Sequence, residues 1–203
     1  MRRVRSTVAA GLAGLVVVVL SPGIARAAAP STGRWYTFEN TATNYYAAVA
    51  GNSTVNGGKV IQWDGPYVPG NPGTYRTEQE WQVYDPDGDD WFFLINANSQ
   101  KVMGVSGGAT ANGSGVIQWD RQNGNTDQQW TFVAQGASPS STTNIPTSSL
   151  NYLKNRKSGR CLAVAGGNDG NDVRGQQLIL FDCDMAHHQT GTDDRIWYAF
   201  RTV

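Results

Sequence analysis

Along the chain, apolar residues come in short runs split by Gly, Asn, Asp and Ser. Lys59-Val-Ile-Gln-Trp63, Trp91-Phe-Phe-Leu-Ile95 and Gln177-Leu-Ile-Leu-Phe181 are representative, and their β-branched and aromatic content predicts short strands. No window carries the i, i+3, i+4, i+7 stripe of an amphipathic helix. The pattern predicts an all-β chain. One stretch departs from it. Val8 to Leu20 is small and apolar throughout, follows the basic start Met1-Arg-Arg-Val-Arg5 and precedes Ala25-Arg26-Ala27. It is too short to span a bilayer, which takes roughly 20 helical residues, and the three-part order is that of a secretory signal. Cleavage is expected after Ala27, because a cut after Ala29 would set Pro30 beside the scissile bond. Residues 1–27 are thus read as a signal peptide and the protein as secreted, with no later segment apolar enough to anchor it.

Beyond the signal the pattern repeats three times. Asn40, Asn96 and Asn155 each stand nine residues before Val49, Val105 and Val164. Gly57 and Gly113 follow those valines after eight residues, and Gly175 after eleven, so the third copy carries a small insertion. Three residues past each Gly stand Val60, Val116 and Leu178, and three further on Trp63, Trp119 and Phe181. The copies end in Gln79-Glu-Trp81, Gln128-Gln-Trp130 and Arg195-Ile-Trp197. The copies occupy approximately 35–84, 91–134 and 150–203. A unit of that size buries too little surface to fold alone, whereas three closing around an axis remove exposed sheet edges. Trp81, Trp130 and Trp197 are expected in the shared core. Residues 136–149 hold ten Ser, Thr or Pro among fourteen and read as a surface loop between copies two and three.

Charge narrows the partners. The full chain is neutral, with 16 basic and 16 acidic side chains, but four of its arginines lie in residues 1–27. The remainder is mildly acidic without a Lys/Arg cluster, which argues against nucleic acid. Cys161 and Cys183 are the only cysteines. An even count in an oxidising compartment predicts one disulfide, worth roughly 3 kcal/mol on a chain-entropy estimate.

With these repeats the sequence resembles the ricin B-chain-like lectins, a β-trefoil family whose copies carry a Gln-x-Trp signature. The resemblance covers residues 33–203. It rests on the two intact triplets, the Gly-to-Trp segments and Asn155-Arg-Lys-Ser-Gly-Arg-Cys-Leu-Ala-Val164 opening copy three. It implies a β-trefoil with pseudo-threefold symmetry and a Cys161–Cys183 bridge within one repeat. Copy three departs from the signature at Arg195.

The resemblance also implies a sugar site in each copy. Galactose-type sugars are held in this family by an Asp after the Cys position, an aromatic at the end of the next strand, and an Asn or Asp before the Gln of the triplet. The first falls on Ala48, Gly104 and Ala163, so all three copies lack it. The aromatic falls on Trp63, Trp119 and Phe181, and the residue before the triplet is Glu78, Asp127 or Asp194. An aromatic ring stacks on a sugar's C–H face while a carboxylate accepts from hydroxyls. Losing one such acceptor forfeits about 1.5–3 kcal/mol, which puts galactose specificity in question. The expected carbohydrate-binding residues are Trp119, Asp127 and Gln128 in copy two, the preferred site. Trp63, Glu78 and Gln79 serve copy one, where the loop Asp64 to Thr77 threatens to cover the pocket. Phe181 and Asp194 serve copy three. The competing reading makes Trp63 and Trp119 packing residues and Asp127 a turn cap.

Three further motifs yield little. Gly104-Val-Ser106-Gly-Gly108 matches the nucleophile-elbow pattern, but its equivalents hold Ala50 and Ala165 and no helix is expected after it. Asp85-Pro-Asp87-Gly-Asp89-Asp90 has its Gly at the wrong place for a calcium loop and reads as a turn, and Asp169, Asn171 and Asp172 fare no better. His187 and His188 lack a third ligand at useful spacing. The expectation is a non-catalytic carbohydrate-binding module without cofactor or metal, its partner a glycan or polysaccharide. The alternative is a protein-binding trefoil, a protease inhibitor or complex subunit, that makes contact through loop 64–77 or 136–149.

Overall fold

The computed structural model describes residues 33–68, 70–135, 150–167, 173–184 and 193–202. The signal segment 1–27, the loop 136–149, the acidic insertion at Asp169 to Asp172 and the pair His187 and His188 lie outside the described residues. Copy one supplies β1 (Arg34–Asn40), β2 (Tyr46–Val49), β3 (Val60–Trp63), β4 (Tyr67–Val68), β5 (Asn71–Tyr75) and β6 (Trp81–Tyr84). Copy two supplies β7 (Phe93–Asn96), β8 (Val102–Val105), β9 (Val116–Trp119) and β10 (Trp130–Ala134). Copy three supplies β11 (Leu150–Asn155), β12 (Cys161–Val164), β13 (Leu178–Phe181) and β14 (Ile196–Arg201). The remaining regular elements among the described residues are single 3-10 turns, such as Ala50–Asn52 and Ser106–Gly108.

Six of these strands close a barrel. β6 and β14 flank β1, β7 pairs with β6, and β10 pairs with β11, which pairs with β14. The ring shuts between β7 and β10, where Phe92 and Trp130 exchange backbone hydrogen bonds of 2.7 and 2.9 Å. The hairpins β2–β3, β8–β9 and β12–β13 cap the barrel, each locked to another. Gly57, Gly113 and Gly175 donate their N–H groups to the carbonyls of Gln118, Leu180 and Gln62, at 2.9, 2.8 and 2.8 Å. Each has φ between +82° and +90°, the left-handed region in which a side chain is strained, which explains the Gly at this point of every copy.

The triplet tryptophans sit at the centre of the core, all at 0% exposure, among Tyr36, Phe38, Phe132 and Leu153. Each indole N–H must find an acceptor once buried. Trp81, Trp130 and Trp197 donate to the carbonyls of Ala47, Met103 and Leu162 at 2.9, 3.0 and 3.0 Å, three equivalent points on the cap hairpins. The repeated asparagines join one copy to the next. Asn40, Asn96 and Asn155 donate to the carbonyls of Asp194, Glu78 and Asp127 at 2.8, 3.0 and 2.8 Å. Every residue that precedes a triplet is therefore fixed by the following copy, with copy one following copy three around the ring. Cys161 and Cys183 form the disulfide, which clips the base of β12–β13.

Candidate functional site

Each copy builds one cleft from the same three pieces: the aromatic that ends its second cap strand, the turn after its first cap strand, and the residue before the triplet. Their volumes are about 410 Å³ in copy two, 360 Å³ in copy one and 350 Å³ in copy three. The structure thereby brings Trp119, Asp127 and Gln128 together, likewise Trp63 with Glu78, and Phe181 with Asp194.

The triplet glutamines shape these clefts from behind. Gln79 and Gln128 are buried, and their amides donate to the carbonyls of Asp64 and Asp120, the residues just after the aromatics, at 2.7 and 3.0 Å. They hold the aromatic strand end against the triplet turn. Arg195 does the same work in copy three, its Nη1 donating to the carbonyl of Asp182 at 3.0 Å. The carboxylates of those three aspartates are held as well. Arg174 pairs with Asp64, Lys101 with Asp120 and Arg160 with Asp182. Hydrogen bonds from Lys101 and Asn56 keep the Asp120 carboxyl below the usual carboxylate range.

The aromatics differ in what covers them. The Arg174 guanidinium lies 4.7 Å from the centroid of the half-buried Trp63, and that of Arg195 lies 5.7 Å from Phe181. Trp119 is 39% exposed, rests against Gly57, and carries no cation over its ring among the described residues. The loop after Trp63 forms the hairpin β4–β5, in which Tyr67 and Tyr75 pack at 4.9 Å, and it brings Arg76 to the rim of the copy-one cleft.

The acceptors differ too. In copy three, Arg195 Nε donates to Asp193 and Asp194 at 3.0 and 3.1 Å, so two buried carboxylates share one guanidinium. Burial pushes the Asp194 carboxyl up to about 6 against the pull of Arg195. In copy two the turn is capped by Asn125, whose side chain accepts from the Asp127 N–H at 3.3 Å. The Asp127 carboxylate is released from that duty and takes no hydrogen bond among the described residues, although the residue is only 9% exposed. It stands 3.5 Å from where a Cβ on Gly104 would lie. Gly104, where the resemblance would set an Asp, is thus faced by a carboxylate from the triplet side.

Ser106 lies on an exposed 3-10 turn, and Asp85 caps its own loop by accepting from the N–H groups of Asp87 and Gly88. Among the described residues no group of three His, Cys, Asp or Glu side chains is placed to hold a metal ion. No helix among them is long and apolar enough to cross a membrane.

A six-stranded barrel capped by three locked hairpins, with one aromatic-lined cleft per copy, defines a β-trefoil of the Gln-x-Trp kind. The chain belongs to the ricin-type beta-trefoil lectin domain-like family, whose model matches residues 77–178. No curated protein matches the sequence. Among solved structures it is similar to the designed threefold-symmetric protein ThreeFoil, at 24% identity and a TM-score of 0.62, covering 82% of this chain and 97% of that one. It is similar to the Macrolepiota procera ricin B-like lectin in complex with lactose, at 16% identity and a TM-score of 0.58, covering 86% and 99%. An exo-β-1,3-galactanase from Clostridium thermocellum is similar at 19% identity and a TM-score of 0.63, over 86% of this chain but only 31% of the enzyme.

Proposed function

We propose that this protein is a secreted, non-catalytic lectin whose principal carbohydrate site is the copy-two cleft. The observation that carries the reading is the open Trp119 ring beside the Asp127 carboxylate, which has no partner among the described residues. A sugar's C–H face stacks on Trp119 and its hydroxyls donate to Asp127, while Gln128 holds the two at their spacing. Family membership and the lactose-bound relative support a glycan as the ligand. The arginines over Trp63 and Phe181, and the guanidinium on Asp194, make copies one and three secondary sites.

The test is a glycan and polysaccharide panel on the exported protein, recovered from the medium with Ala28 as its first residue. Trp119→Ala and Asp127→Asn are each expected to cut affinity by about tenfold or more. Binding that survives both moves the site to another copy. No binding to any sugar overturns the lectin reading and turns attention to a protein partner at the β4–β5 hairpin.

A further inference from the structure

Lys157 plays no part in the repeat pattern. It sits in the copy-three turn between β11 and β12, yet it lines the copy-two cleft. Its backbone N–H donates to the carbonyl of Thr126 at 3.2 Å, which seats the turn on copy two. The structure gives a sharp marker of where its ammonium points. A Cβ on Gly108 would lie 2.7 Å from Lys157 Nζ and 2.9 Å from Asp127 Oδ2. Gly108 has φ of +62° and no side chain, so both charges reach that one position on the cleft floor. They stand no more than about two hydrogen-bond lengths apart. They form no ion pair with each other, and neither takes another partner among the described residues.

The other copies lack this arrangement. The residue two past the repeated asparagine is Ala42, Asn98 or Lys157. Ala42 carries no donor. Asn98 uses its amide on the carbonyl of Asn52, at 3.0 Å, across the turn of the copy-one cleft. Copy two alone sets a cation there.

We infer that Lys157 is a specificity-determining residue of the copy-two site, which makes that site span two repeats and selects a neutral sugar by its hydroxyls. The inference rests on the lectin reading above. A hydroxyl both donates and accepts, so one group, or a vicinal pair, accepts from Lys157 and donates to Asp127. A carboxylate at the same point would pair with Lys157 but set its anion beside that of Asp127, so the two effects oppose, whereas a hydroxyl satisfies both groups.

The experiment is calorimetric titration of the best neutral sugar from the panel and of its monodeoxy analogues. Wild type, Lys157→Met and Lys157→Arg are compared, with melting temperatures as the check on folding. Lys157→Met is expected to lose about tenfold or more in affinity at an unchanged melting temperature, and Lys157→Arg to keep part of the binding. One deoxy analogue should bind wild type about tenfold more weakly yet bind Lys157→Met no worse than the parent sugar does, a coupling that a merely structural lysine would not produce. Wild-type affinity in Lys157→Met, with Trp119→Ala still inactive, overturns this inference and leaves the lectin reading standing. A wild-type preference for sialylated or uronic-acid glycans also overturns it. Absence of any sugar binding by wild type sinks both.

Discussion

Arg195 replaces the glutamine of a triplet and keeps its job, because a guanidinium carries more donors than an amide. One donor reaches the carbonyl of Asp182, and Nε is left over for Asp193 and Asp194. The surplus has a consequence in pH. Burial of the pair outweighs the pull of Arg195, and the Asp194 carboxyl is pushed from 3.8 to about 6. The folded chain therefore binds a proton that the unfolded chain has already released. The stability from that proton is complete below about pH 4 and lost as pH rises to about 6. Thermal melts across this window should show the wild type falling with rising pH, while Asp194→Asn, which cannot titrate, gives a flatter profile. An unchanged slope in the variant would place the titration elsewhere. From sequence, Arg195 reads as a defect in the signature. Its partners lie thirteen residues upstream and in its own turn, so only the fold reveals that the signature's function is intact.

The cap hairpins carry the aromatics, and they are secured in different ways. Lys101 at the start of β8 pairs with Asp120 beyond β9, whereas β12–β13 adds the Cys161–Cys183 bridge to the Arg160–Asp182 pair. A surface pair is worth about 0–1 kcal/mol, and a disulfide closing a loop of this length roughly 3 kcal/mol. Cys161→Ser with Cys183→Ser is thus expected to lower unfolding free energy by about 3 kcal/mol in denaturant titration. Glycan binding at copy two should be untouched under native conditions, because among the described residues neither cysteine has a hydrogen bond to Trp119, Asp127 or Lys157. Loss of binding in parallel with the bridge would place the working site in copy three or show that the bridge holds the Lys157 turn, whose Gly159 carbonyl lies 3.4 Å from Cys183 Sγ. The second strand of each hairpin was legible, since Val60, Val116 and Leu178 stand at a fixed distance from a Gly in short apolar runs, whereas its pairing with the first strand was not. What covers each aromatic was not. Arg174 meets Trp63 from 111 residues away, and Lys157 meets the copy-two cleft from the next repeat, so neither follows from a pattern internal to one copy.

At the scale of the molecule, stability belongs to the ring and not to any copy. β1 of copy one pairs over five residues with β14 of copy three, and β10 of copy two pairs over five with β11. The asparagines stitch the same seams, and the three indoles meet in one core. Removing residues 150–203 strips partners from both β1 and β10 and takes Trp197 from the core, so the remainder cannot close. That deletion is expected to abolish the cooperative unfolding transition and the near-ultraviolet circular dichroism signal. A circular permutant makes the complementary test. Joining the chain's last residue to residue 33 and opening it between Ala134 and Leu150 keeps every strand pairing, because Tyr36 lies opposite Arg201 and Ala134 opposite Asn151. Among the described residues its cost is the changed closure entropy of two connections, which varies slowly with loop length. The permutant should therefore unfold cooperatively and keep the glycan affinity of the parent, since Trp119, Asp127 and Lys157 come from both sides of the cut. Failure of the permutant where the strands are all present would show that the covalent 136–149 connection, and not the closed ring, holds copies two and three together.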